Sequence, residues 1–137
     1  MSLPVNVQQM IDTMPLLRDL EMAFEQVGAG VCRCSLPIAP RLVNPHGGLH
    51  GGMTFTLADT GMGFAIYSLL APDEHTTTIS MSIRYLKPAK GERITAHCRV
   101  VQRGKKLATT QAEILDDAGE KVALADGSFY ISRRRRE

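Results

Sequence analysis

The sequence predicts an α+β fold: an antiparallel sheet of five to six strands wrapped around one long central helix. Three observations carry this. The stretch from Gly51 to Leu70 is apolar on nearly every face, through Phe55, Leu57, Ala58, Met62, Phe64, Ala65, Ile66, Leu69 and Leu70, and a helix apolar all round is a buried one. After Pro72 the apolar residues recur with period two between short turns rich in Gly and Asp, as antiparallel strands do. No repeat, linker or low-complexity run interrupts the chain, so residues 1–137 read as one domain large enough for a core.

Taken in order, Val7, Met10, Ile11 and Met14 fall at helical spacing within Asn6 to Leu17. They predict a short amphipathic N-terminal helix within residues 1–17, ending near Pro15. Leu20 to Val27 and Val31 to Leu36 read as strands joined at Gly28-Ala-Gly30, a hairpin. Pro37, Pro40 and Pro45 then break regular structure ahead of a glycine-rich turn, and the central helix follows and stops near Ala71-Pro72. Thr76 to Leu86 is a strand with Ile79, Met81, Ile83 and Tyr85 on one face. Ile94 to Gln102, Leu107 to Leu115 and Lys121 to Ser132 complete the set across turns at 87–91, 104–106 and 116–119. Connections this short predict an antiparallel meander. The closing run Arg133 to Glu137 reads as a solvated, mobile end.

Composition narrows the function. A net charge of +2 is too small to argue for nucleic acid, and without Trp, and with few other aromatic residues, a platform for stacking bases is missing. The apolar run after Gly52 is broken by Asp59, glycines and threonines, and reads as a core helix rather than a membrane span. Met1 to Leu20 has no signal-peptide pattern. Cys32, Cys34 and Cys98 have no CxxC spacing, and their odd number fits free thiols in a reducing compartment, the cytoplasm.

Between Arg41 and Asp73 the one formally charged side chain is Asp59, His46 and His50 aside. Burying a lone carboxylate is costly unless it is paired, hydrogen-bonded or neutralised. Asp59 therefore either has a specific partner or works at a cleft. Ahead of it, Gly47, Gly48, Gly51 and Gly52 leave the main chain around His50 open to close approach. Helix-entry N–H groups lack intrahelical partners and suit an anion or a developing oxyanion. Asp59 lies about 11–13 Å further along the axis. One chain therefore cannot bring both groups to a single carbon, whereas two antiparallel copies of the helix can. Gly61 and Gly63 inside the helix favour such a close helix–helix approach.

Asn44, Gly47, His50-Gly-Gly52 and Leu57-Ala-Asp59, at this spacing, resemble the hotdog-fold thioesterases of the phenylacetate-pathway (PaaI-like) family. Tyr85-Leu-Lys-Pro88 and Phe129-Tyr-Ile131 support the likeness, which runs from about Val31 to Ile131. The resemblance implies an acyl-CoA thioesterase that works as a homodimer, often paired into a homotetramer, with its sites at the dimer interface. It implies no cofactor and no metal, coenzyme A being part of the substrate. By position Asp59 would be general base or nucleophile, and Gly51 the N–H that polarises the thioester carbonyl. His50 stands beside it, Asn44 would orient water or carbonyl, and a hydroxyl from Thr78, or Thr77, would hold the water.

For substrate binding the expected residues are Gly52 at the turn and Phe55 and Met62 on the helix, with Tyr67 beside them. Lys87, Lys90 and Arg103, with Lys105 and Lys106, are candidates for the CoA phosphates. A serine route lacks its GxSxG elbow, and a zinc protease its HExxH. The rival readings are a hotdog protein that binds acyl thioesters without hydrolysis, and a hotdog hydratase or dehydratase. No partner nucleic acid or membrane is expected.

Overall fold

The structure, a computed structural model, describes residues 3–133. The expected basic tail falls mostly on residues 134–137, outside that range. Two helices, α1 (Val5–Asp12) and α2 (Pro15–Asp19), precede strands β1 (Ala23–Gly28) and β2 (Val31–Pro37). The long helix α3 (Gly51–Tyr67) follows, then β3 (Glu74–Tyr85), β4 (Arg93–Arg103), β5 (Leu107–Leu115) and β6 (Lys121–Arg133). The six strands form one antiparallel sheet that curls around α3, the hotdog arrangement of sheet and helix. Among the described residues no helix is long and apolar enough to cross a membrane.

Three expectations about the elements need correction. The N-terminal stretch is two helices, because Pro15 cannot continue α1 and instead opens α2 at its first position. Helix α3 ends at Tyr67, short of Ala71. There the Ser68 hydroxyl donates to the Ala65 carbonyl at 2.7 Å and accepts from the Gly30 N–H at 2.9 Å, which ties the first hairpin to the helix end. The strands are not a meander. Their order is β1-β2-β4-β5-β6-β3, so β3 crosses over and, among the described residues, pairs only with β6.

A bulge decides the faces of β3. Thr78 lies opposite Phe129 and Ser80 opposite Ser128, leaving Ile79 as an extra residue, 56% exposed. Below the bulge Thr76 and Thr78 face the helix; beyond it Met81 and Ile83 do. The simple alternation expected from Ile79 to Tyr85 holds only after the bulge. Bulges re-aim side chains in this way beside functional sites.

The sheet's concave face and α3 share the core. Leu57, Ala58, Met62, Ala65 and Ile66 are fully enclosed, facing Cys32, Cys34, Ile94, Ala96 and Ile114. All three cysteines are free and buried, and a hydrogen bond to Cys34 together with burial pushes the Cys32 thiol well above its usual range. Gly61 sits where helix and sheet approach most closely. A Cβ there would lie 2.5 Å from Cys98 Sγ and 3.0 Å from Cys34 Sγ. Its small size therefore serves contact within the chain. Only Gly63, on the half-open side of α3, is left for the expected contact between helices. That side, running through Phe55, Thr56, Asp59, Thr60, Gly63 and Tyr67, is apolar apart from Asp59 and the threonines, yet incompletely covered.

Candidate active site

The glycine turn is built around Asn44. Its Oδ1 accepts from the N–H groups of His46 at 2.9 Å and Gly48 at 3.2 Å, the local turn bonding that Asn favours. Its backbone closes the loop through Asn44 N–H to Gly48 O at 2.7 Å and Gly47 N–H to Asn44 O at 3.0 Å. Gly47, at φ +87°, occupies the left-handed region that a turn this tight requires. Asn44 Oδ1 is thus committed to the loop, and its amide NH2 is the part left for a ligand.

His50 caps the helix. Its Nδ1 accepts from the Gly52 N–H at 2.9 Å. In the neutral ring the proton is therefore on Nε2, which leaves a donor on the exposed edge. Among the described residues no acceptor meets the Gly51 N–H, the first of α3. It lies beside a groove of about 480 Å³ formed with Asn44, Tyr85, Pro88 and Ala89.

Asp59 is half-buried, on the uncovered side of α3. Thr78 Oγ1 lies 2.8 Å from Asp59 Oδ1, and since an ionised carboxylate only accepts, the hydroxyl donates. The other oxygen is left for water or substrate. Thr77, the alternative hydroxyl, pairs with Tyr130 on the opposite face of the sheet. Beside Asp59 and Thr78 is a cavity of about 250 Å³ walled by Phe64 and Tyr67 from α3, Phe129 from β6, Met10 from α1 and Met14 just ahead of α2. Replacing Thr78 by Val keeps the shape and deletes one hydrogen bond to a charged group, worth about 1.5–3 kcal/mol. A kcat lower by about tenfold, with KM little changed, is the expected result in a thiol-release assay.

The other expected binding residues are dispersed. Gly52 is spent on His50. Phe55 lies one turn before Asp59 on the same uncovered side, 38% exposed, and borders neither cavity. Met62 is a correction: it is fully buried, and its sulfur accepts from Thr110 Oγ1 at 3.1 Å, so it belongs to the core.

Lys87 is engaged by Glu120 and by Asp116 at 3.1 Å, and those bonds hold its ammonium pKa up. Arg103 grips both oxygens of Glu74 at 2.8 and 3.0 Å. The Ala71 N–H, and after it Arg103, hold that carboxyl below its usual range. Of the five phosphate candidates, Lys90, Lys105 and Lys106 are exposed with no ion pair among the described residues. Lys87 and Arg103 also stand apart: one borders the groove at the glycine turn, the other a surface pocket at the start of β3.

Sequence reasoning passed over Met10, Met14, Phe64, His75 and Phe129 in the cavity wall. Helical spacing held a usable signal for Tyr67, since Asp59, Gly63 and Tyr67 at i, i+4 and i+8 share one face. No signal of that kind exists for Phe129, which reaches the site across the sheet.

A six-stranded antiparallel sheet around one helix, with a carboxylate on that helix and a glycine turn at its start, defines the hotdog class of acyl-thioester enzymes. The chain belongs to the Thioesterase superfamily, whose family model matches residues 46–123. It is 29% identical to human acyl-coenzyme A thioesterase 13 over 129 residues, 88% of this chain and 90% of that one. The Escherichia coli PaaI protein of the phenylacetic acid degradation operon shares the fold at a TM-score of 0.85 and 24% identity, over 91% of this chain and 89% of that one. A Bacillus halodurans protein solved with CoA, BH2602, superposes at 0.82 with 29% identity, over 93% of this chain and 82% of that one. The chain is a thioester hydrolase.

Proposed function

We propose that the chain hydrolyses acyl-CoA thioesters as a homodimer with composite sites, and that these dimers pair into a homotetramer. Asp59 of one subunit faces the thioester carbonyl held by the Gly51 N–H of the other. A preorganised donor at a developing oxyanion contributes about 3–4 kcal/mol. The carboxylate, steadied by Thr78, activates water or attacks directly. His50 Nε2–H and the Asn44 amide are the remaining donors around the carbonyl. The reaction needs no metal and no cofactor, coenzyme A arriving as part of the substrate. The CoA-bound relative supports that substrate class.

One observation carries the reading. Asp59 and Gly51 are eight residues apart on one helix, about 12 Å along its axis, and both are only half-buried. That separation is too long for one chain to serve a single carbon. Among the described residues, strand β3 beside them has a neighbour on one edge only, and a free edge of this length invites pairing with another chain. The outer face of the sheet exposes Leu107, Leu124 and Tyr130, surface that a tetramer would cover. Three buried free thiols favour a reducing, cytoplasmic setting.

Mixing inactive subunits tests the composite site. Gly51→Pro deletes the N–H at a helix position that accepts proline, and Asp59→Asn deletes the base. Unfolded together and refolded, the two variants should regain about a quarter of wild-type activity per dimer, since half the dimers are mixed and each mixed dimer has one intact site. No regain across benzoyl-, hexanoyl- and lauroyl-CoA, each of which the wild type is first tested on, would sink the shared site.

A further inference from the structure

Tyr85 has no role so far, yet it touches the part of the site that most needs holding. Its hydroxyl donates to the Gly51 carbonyl at 2.6 Å. Its ring is so near that a Cβ on Gly51 would meet Tyr85 Cζ and Oη at 3.2 Å. The N–H of the same Gly51–Gly52 peptide donates to His50 Nδ1 at 2.9 Å. That peptide is therefore gripped at both ends, from the sheet and from the helix cap. Two consecutive glycines have more backbone freedom than any other pair, and they lie in the first turn of α3, where intrahelical bonds are missing. The bare turn alone would not keep one orientation.

We propose that Tyr85 is a positioning residue for thioester hydrolysis: by fixing the Gly51 carbonyl it sets the rotation of Gly51 and so aims the Gly51 N–H at the thioester oxygen. The inference rests on Gly51 being the oxyanion donor. Strand β3 holds Tyr85 in register opposite Ala123, so the hydroxyl is mounted on the sheet rather than on a loop. Burial also raises the Tyr85 pKa above the usual phenol range, so the O–H stays a donor through the pH of an ordinary assay. A hydrogen bond to the Gly51 carbonyl further polarises the peptide and strengthens its N–H toward His50, as linked hydrogen bonds do.

Tyr85→Phe removes the hydroxyl and keeps the ring. Loss of a direct oxyanion donor costs about 10²–10³ in kcat; loss of its support should cost about tenfold, with KM and the melting temperature close to wild type. The second readout is the carbonyl stretch of bound phenacyl-CoA, a ketone that cannot be hydrolysed. It should be shifted to lower frequency in the wild type and relax toward its solution value in Tyr85→Phe. Wild-type kcat and an unchanged stretch in Tyr85→Phe, while Asp59→Asn is inactive, overturn the proposal and leave the thioesterase site standing. A stretch that is unshifted in the wild type as well overturns the assignment of Gly51, and this inference with it.

Discussion

Asp59→Asn should hydrolyse benzoyl-, hexanoyl- and lauroyl-CoA about 10³-fold more slowly than wild type, within the 10²–10⁴ range that a positioned acid or base contributes. KM should move little, because the amide fills the same space and can still accept from Thr78 Oγ1, now 2.8 Å from Asp59 Oδ1. Folding should survive for the same reason. Hydrolysis at the wild-type rate would remove the carboxylate from the mechanism altogether. A single turnover in heavy-oxygen water separates its two possible uses. A general base sends solvent oxygen into the acid product. A nucleophile forms an acyl–aspartyl anhydride as CoA leaves, and attack of water at the aspartyl carbonyl then leaves the heavy oxygen on Asp59.

The largest effect on stability is expected at Gly61→Ala. Alanine is the better helix former by about 1 kcal/mol, so propensity alone predicts a gain. Packing opposes it, since the new methyl would stand 2.5 Å from Cys98 Sγ and 3.0 Å from Cys34 Sγ, below any normal contact. Overpacking of a core costs about 1–3 kcal/mol, and here the obstruction lies on two adjacent strands, β2 and β4. A net loss of about 2 kcal/mol follows, read as a melting temperature lower by about 5–8 °C. Adding Cys98→Ala should recover most of it, because the Cys98 Cβ is 3.7 Å from the added carbon. Gly63→Ala is the control, meeting nothing in the chain nearer than Phe129 Cε2 at 3.9 Å. If Gly61→Ala melts at or above the wild-type temperature, the helix can shift off the sheet more cheaply than this packing implies.

Much of the fold was legible because local patterns wrote it. The all-round apolar run from Gly51 and the alternation through Ile94, Ala96 and Cys98 each name an element without reference to its neighbours. The order of the strands is a property of the whole sheet, and the short turn after β3 suggested a neighbour that β3 does not have. Thr78 marks the same limit within the site. Alternation through Met81 and Ile83 places Thr78 on the outer face, whereas its bond to Asp59 needs the inner one. Only the extra residue at Ile79 reconciles the two, and nothing in Thr-Ile-Ser announces a bulge. Gly61 misled for a related reason, since a glycine in a helix signals close approach but not from which side. Tyr85 was visible as part of a motif, but its purpose required knowing that the end of β3 lies against the start of α3.

Because β3 has no neighbour in the sheet except β6 among the described residues, its place depends on a strand that follows it only after β4 and β5. Glu74 through Tyr85 align with Arg133 back to Ala123. A nascent chain that has not yet reached β6 would have the helix and its carboxylate, but no partner to hold the strand bearing Thr78 and Tyr85. Pairings this distant in sequence form late and slowly, so a ribosome-bound fragment carries an unfinished, exposed strand until β6 emerges. The hydroxyls bonded to Asp59 and to the Gly51 carbonyl thereby wait on β6 to reach their places, and a chain cut short before β6 should fail to turn over a thioester.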